Sequence, residues 1–213
     1  MEQTSFTKLA LIFCLFMGLW SEESRVAAAP SACSHIECPS YDVVYSGKDY
    51  EIRRYDASHT TWISTPPIPG NSLTVSTAFG FLSLFAYILK QKIEMTAPVL
   101  TQVSPTNGSL FKSEYTVNFY LPKANQANPP TSTAVHPQKW TKTYAAVRPF
   151  SGFVMDNTAK DQVAALQASI KGSQWESAIQ KSHGGNFNYA VAQYNSPFQF
   201  TGRENEMLFT FEQ

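Results

Sequence analysis

The chain has 213 residues, of which 15% are charged, 14% aromatic and 43% apolar, and its formal net charge is zero. That length allows one sizeable domain or two small ones with a real core, and the composition excludes a disordered chain. Neutrality and the lack of any Lys/Arg run exclude the electrostatic footprint of a nucleic-acid binder.

At the start, Lys8 precedes the apolar run Leu9 to Trp20. That run is shorter than the roughly 18 residues a bilayer span needs. It is followed by Val26-Ala27-Ala28-Ala29, and a basic start, short apolar stretch and small-x-small site read as a secretory signal peptide. Cleavage is expected after Ala28, since cutting after Ala29 would leave Pro30 first. The alternative is an N-terminal helix packed on the domain. The expected location is therefore the exterior or an endomembrane compartment, without stable membrane insertion once 1–28 is removed. Cys14 leaves with the signal. Cys33 and Cys38 remain, and an even pair in an oxidising compartment predicts a disulfide around a short loop carrying His35. A lone C-x4-C pair is a poor zinc site. Three segments are expected: signal 1–28, cysteine segment 29–40 and a single domain over 41–213.

Tyr41 to Tyr45 is a first strand, and Ser46-Gly-Lys-Asp49 a turn. Tyr50 to Asp56 and Thr60 to Ser64 continue as a hairpin-like arm that ends at Pro66-Pro-Ile-Pro-Gly70. From Asn71 the period becomes helical. Val75, Ala78, Phe79, Leu82, Phe85 and Leu89 form a stripe, widened by Phe81, Leu84 and Ile88 and capped by Asn71 or Ser72. So apolar a helix is expected to pack on a sheet.

Lys92 to Leu100 alternates like a half-buried strand, with Pro98 placing it at an edge or bulge. A turn over Ser104 to Ser109 holds Asn107-Gly-Ser109, a glycosylation acceptor sequence in a secreted chain. Tyr115 to Leu121 is a further strand, and the proline-rich stretch Pro122 to Pro137 reads as a connection between halves. The second half echoes the first. Trp140 to Phe150 is strand, Asp156 to Lys171 helix with Val163, Leu166 and Ile170 inward, Trp175 to Lys181 a further helical turn or two, and 187–193 and 206–211 two strands. Strand, helix, strand, strand occurs twice. This predicts one α+β domain of about eight strands and two main helices, a strongly curved or barrel-like antiparallel sheet with helices outside.

No nucleophile elbow, phosphate loop or dinucleotide fingerprint is present. Glu51, Glu94 and Glu114 lie on strands that could neighbour one another, and paired carboxylates can do acid–base work, though a solvated strand face explains them as well. His35, His59, His136 and His183 each have a structural explanation. His59 and His136 lead as ligands because they lie on loops, while His183 at a helix C-terminus favours imidazolium. Met95 is a soft alternative ligand or a core residue. Arg53, Arg54 and Arg148 read as surface residues, or as partners for a ligand carboxylate at the rim of an apolar groove. Phe79, Phe81, Phe85, Trp62, Tyr120 and Trp140 exceed what a minimal core needs, which favours a binding module.

Tyr50-Glu-Ile-Arg-Arg-Tyr55, Gly80-Phe-Leu-Ser-Leu-Phe-Ala-Tyr-Ile88, Lys92-Ile-Glu-Met-Thr-Ala-Pro-Val99, Phe119-Tyr-Leu-Pro122 and Tyr194-Asn-Ser-Pro197 together resemble the SOUL haem-binding proteins. The match runs over roughly 41–211, and Cys33-Ser-His-Ile-Glu-Cys-Pro39 after a signal is similar to secreted plant members. The resemblance implies a distorted antiparallel barrel flanked by two long helices and built from two pseudo-repeats. It also implies non-enzymatic binding of haem or another tetrapyrrole in an apolar groove.

On that basis Arg54, Met95, Phe79, Arg148, His59 and His136 are the expected ligand-binding residues, with Arg54 or Arg148 meeting a propionate. Two departures stand out. Arg54 occupies the place where some vertebrate members carry a His proposed as haem ligand. The helix also runs into Lys92 without the loop that members usually have there. The rival readings are a small-molecule hydrolase on a similar fold and an extracellular interaction module without a small ligand.

Overall fold

The computed structural model describes residues 29–56, 58, 60–106, 109–183 and 188–212. The signal-like segment 1–28, His59, the acceptor Asn107 and the turn glycines 184–185 lie outside the described residues.

Among the described residues, ten strands and four helices follow a 3-10 turn at Ser31–Ser34. The strands are β1 (Tyr41–Ser46), β2 (Glu51–Tyr55), β3 (Thr61–Ser64), β4 (Ile68–Gly70), β5 (Val99–Thr106), β6 (Ser109–Tyr120), β7 (His136–Lys139), β8 (Thr143–Ser151), β9 (Tyr189–Gln193) and β10 (Glu204–Phe211). The helices are α1 (Leu73–Gln91), α2 (Lys123–Gln126), α3 (Asp156–Ile170) and α4 (Glu176–His183).

All described pairings are antiparallel, in the order β1-β2-β8-β10-β9-β5-β6-β3-β7, with β4 added beside β6. The order makes the duplication physical. β5-β6-β3 with α1 mirrors β9-β10-β8 with α3, and the halves meet at the β5–β9 pair. The sheet curls until its ends approach one another. The Tyr55 ring on β2 meets the Trp140 ring just after β7 edge-on, at 5.1 Å between centroids. The result is the distorted barrel with outer helices that the sequence predicts.

Alternation assigns the two faces. Tyr55, Trp62, Leu100, Tyr120, Ala145, Val147, Ala190, Ala192 and Leu208 point into the barrel. On the same strands, Ile52, Ala146, Val191, Met207 and Phe209 point outward, under α3 and α4. α1 covers Val117 and Phe119 of β6 with Leu84 and Ile88. Its N-cap is Ser72, whose hydroxyl accepts the Val75 amide and donates to Asp156 at the start of α3. Gly80 lets α1 sit close: a Cβ there would lie 2.2 Å from the Val117 side chain.

Several expectations change. Lys92 to Leu100 is not one strand. α1 ends at Lys92 in left-handed conformation, and strand pairing begins only at Val99, after a cis Ala97–Pro98 peptide. The polar face of that stretch is also wrong in part, because Thr96 is buried and donates to the Tyr120 carbonyl.

β2 and β3 pair in different parts of the sheet rather than forming one arm, since the β1–β2 hairpin is the local unit. The 122–137 connection contains α2 and leads into β7, and β4 hides in the Pro66–Gly70 stop. The helical stripe is reversed as well. Leu73, Ser76, Gly80, Leu84, Tyr87 and Ile88 are the buried face of α1, whereas Phe79, Leu82 and Leu89 are 62–63% exposed. Either face would have satisfied apolar periodicity. The small residues Ser76 and Gly80, which permit close approach to β6, decided which one packs.

Candidate functional site

Two regions concentrate unusual chemistry, one inside the barrel and one outside. Inside, the inward residues of the Tyr50–Tyr55 motif, Glu51, Arg53 and Tyr55, meet the start of β10. Arg53 is 1% exposed and donates through Nη1 and Nη2 to both Glu206 oxygens at 3.0 and 2.8 Å, and through Nε to Glu51 at 3.0 Å. Tyr194 donates to Glu206 at 2.7 Å, and the Tyr41 ring lies 4.1 Å from the guanidinium carbon.

Burial by itself would weaken the Arg53 cation, but Glu206 together with Tyr55 and Tyr41 outweighs it and holds the guanidinium protonated above its ordinary range. Burial, reinforced by Glu206, pushes the Tyr194 phenol well above its usual value. Arg53 has all three guanidinium nitrogens committed, so this network is a structural clasp rather than a docking point for an anion. Its motif residues were legible. Their burial was not, because alternation does not distinguish a barrel interior from solvent.

A short strap closes the barrel end beside this clasp. Cys33 and Cys38 are bridged as predicted, and His35 in their loop is exposed. Ser31 donates to Glu204, while Glu37 accepts from the Ala97 and Lys123 amides. A space of about 550 Å³ remains between the strap, Tyr41, Val43 and Tyr194.

Outside, the solvent face of α1 carries Val75, Ala78, Phe79, Leu82, Phe85, Ala86 and Leu89, with Ser83 beside them and Lys90 as its one charge. Phe81 and Phe85 stack, 5.6 Å apart and 12° from parallel. Along one flank runs a groove of about 490 Å³ lined by Ser83, Ala86, Tyr87, Lys90 and residues 131–134. That volume falls within the usual range for ligand pockets. The Tyr87 hydroxyl donates to the Pro130 carbonyl, fixing the groove's far wall to the helix. An apolar strip with stacked rings, a hydroxyl-lined flank and one ammonium at the end can take a flat apolar molecule bearing a carboxylate.

The residues expected from sequence do not converge. Phe79 belongs to the α1 face. Met95 is half-buried, packed against the core cluster that includes Phe119 and Leu121. Arg54 is exposed and paired with Asp42 at 2.6 Å. Arg148 is held by Gln162 and the Asp49 carbonyl. Neither Arg54 nor Arg148 lines the groove beside α1. His136 is exposed on the edge strand β7.

Nor do Glu51, Glu94 and Glu114 meet: Glu51 is inside, while Glu94 and Glu114 face solvent. His183 is buried against Phe209, and burial lowers its pKa, the reverse of what the helix terminus alone predicts. Among the described residues no cluster of His, Cys, Asp and Glu could hold a metal ion. Sequence reasoning missed Lys90, which stands out only once the groove shows that it is the cation closing an apolar helix face.

The SOUL heme-binding protein family model matches residues 36–210. The human Heme-binding protein 2 is 28% identical over 85% of this chain and 89% of its own length, and the mouse Heme-binding protein 2 is 30% identical over 81% and 84%. A solved hydrolase from Listeria innocua covers 75% of this chain and 90% of its own at 8% identity, with a TM-score of 0.39, too distant to bear on function. With a family model spanning most of the chain and relatives aligned over nearly their whole length, this chain belongs to the SOUL heme-binding protein family.

Proposed function

We propose that this protein binds haem or a related tetrapyrrole without catalysing a reaction, and that it does so on the outward face of α1. The observation that carries the reading is the uninterrupted apolar surface from Val75 to Leu89 in a member of a haem-binding family. The residues fit the ligand in two respects. The helix face and the Phe81–Phe85 stack offer apolar burial to the macrocycle, and Lys90 offers an ammonium to a propionate. Among the described residues the face offers no imidazole, so apolar burial supplies most of the affinity. Phe79 keeps its expected role, while Met95 packs against the core and Arg54, Arg148 and His136 have no role there.

Titrating the purified protein with haemin tests this. A sharpened, shifted Soret band saturating at one haem per chain is expected, with at least tenfold weaker binding after Phe79→Asp or Leu82→Asp. A titration unchanged by both substitutions would move the site elsewhere, and one matching an unrelated apolar protein would overturn haem binding itself.

The reading includes secretion. A disulfide between Cys33 and Cys38, immediately after a signal-like segment, supports an oxidising compartment. Mass spectrometry of the protein recovered from its source organism should find Ala29 at the N-terminus, and recovery of residues 1–28 on the mature chain would oppose secretion.

A further inference from the structure

We propose that two adjoining loops at one end of the barrel, 152–155 and 194–203, seat the protein on a phospholipid surface. The pairing of Ser151 with Glu204 brings the loops side by side. Phe198 is 83% and Phe200 73% exposed, more than any other large apolar side chain among the described residues, and Phe153 and Met155 are about half exposed. The Phe153 and Phe200 rings stand 6.4 Å apart, so the two loops present one apolar cluster. These rings project from loop tips instead of lining a cleft. Left in water, they forgo the burial that stabilises aromatic side chains elsewhere in the fold.

The longer loop is built to leave water. Arg203 donates through Nη1 to the Ser196 and Gln199 carbonyls at 2.9 and 2.7 Å. The Gln199 side chain donates to the Thr201 and Gly202 carbonyls at 3.0 and 3.2 Å. The Gln199 amide returns to the Ser196 carbonyl, and the Phe198 amide to the Ser196 hydroxyl. Asn205 ties the shorter loop down by donating to the Gly152 carbonyl. A loop whose polar groups are largely met from within can enter the headgroup layer, where water still reaches the rest, without stranding donors or acceptors. Because its shape is fixed by these bonds, little ordering is left to oppose docking.

Charge selects phosphate as what the rings meet. Neither loop carries a charged residue before Arg203. The carboxylates bordering the loops are spent on the protein's own donors, Asp156 on Ser72 and the Leu73 amide and Glu204 on the Ser31 amide. Arg203 itself is 6% exposed, with its guanidinium carbon 4.8 Å from the Phe153 ring and its Nε without a partner. Among the described residues no carboxylate pairs with it. A cation without a counter-ion, set beneath apolar rings, complements a lipid phosphate lying above acyl chains. This contact is independent of the tetrapyrrole reading, since none of these residues belongs to the α1 face.

Co-sedimentation of the purified, ligand-free protein with vesicles tests the proposal, using phosphatidylcholine alone and phosphatidylcholine mixed with phosphatidylserine. Binding to both is expected, nearly equal because only one cation takes part. Phe198→Ser combined with Phe200→Ser should weaken it at least tenfold, with haemin affinity unchanged. Phe198→Trp should keep the binding, and its added indole emission should shift to the blue on vesicles and be quenched by brominated phosphatidylcholine. No binding to either vesicle would overturn the proposal and leave the rings to a protein partner. Binding that needs the anionic lipid and vanishes in high salt would overturn it as well. So would binding that survives the double serine variant but is lost in Leu82→Asp, which would place the contact on α1.

Discussion

Arg53 and Glu206 form a two-pronged ion pair inside the barrel although their strands, β2 and β10, are not neighbours. The guanidinium reaches across β8, where the inward residues are Ala145 and Val147. An alanine at that crossing leaves the room a longer side chain would fill. Two motif segments far apart in sequence, 50–55 and 194–197, thereby become one hydrogen-bonded unit through Arg53, Glu206 and Tyr194.

Removing one member of that unit strands the others in a medium that solvates them poorly. Arg53→Met leaves Glu51 and Glu206 buried without their cation, and should cost about 3–5 kcal/mol in urea unfolding. Arg53→Met combined with Glu206→Leu should cost less than the sum of the two single changes, because the second removes a charge the first orphaned. Additive losses would mean the carboxylates are already solvated.

At Gly80 α1 sits against Val117 of the sheet with no room for a Cβ. Gly80→Ala gains helix propensity but drives a methyl against Val117, and the clash should prevail, with a net loss of about 1–3 kcal/mol. Pairing it with Val117→Ala should recover part of the loss. A stabilised Gly80→Ala would show that the helix can lift at no cost.

His183 gives the fold an acid-sensitive element. Burial lowers its folded pKa below the ordinary 6.5, with a hydrogen bond to the Thr210 backbone acting the other way. The unfolded chain therefore binds the proton more readily. The contribution is fully present above pH 6.5 and is lost as pH falls towards the folded pKa. Unfolding free energy measured at intervals from pH 7.5 to 5 should decline, and His183→Leu should flatten that decline. An unchanged slope in the variant would assign the effect to other groups.

Cutting the strap's bridge should act locally. Cys33→Ser with Cys38→Ser, or reduction of the bridge, should lower stability by about 2 kcal/mol, the chain-entropy value for so short a loop. Hydrogen exchange should quicken at the Ala97 and Lys123 amides, which both donate to Glu37 of the strap. Exchange that quickens throughout the sheet would mean the strap holds the whole barrel.

The elements were legible where a single period dominates. α3 was predicted with its inward residues because polar and apolar faces differ, and β6, β8 and β10 because β-branched and aromatic residues alternate. The two repeats, the bridge between Cys33 and Cys38 and the antiparallel barrel with outer helices also came from local pattern and composition.

Tertiary structure decided what local pattern leaves degenerate. α1 is apolar on both sides, so periodicity could not choose its buried face, and the fit of Gly80 on Val117 chose it. Lys92 to Pro98 alternates like a strand, but a chain leaving a left-handed cap has no neighbouring strand to pair with until Val99. Arg53 alternates like a surface residue, and only closure of the sheet turned that side inward. Each depends on contacts distant in sequence. Those same contacts leave an apolar helix face outside the barrel.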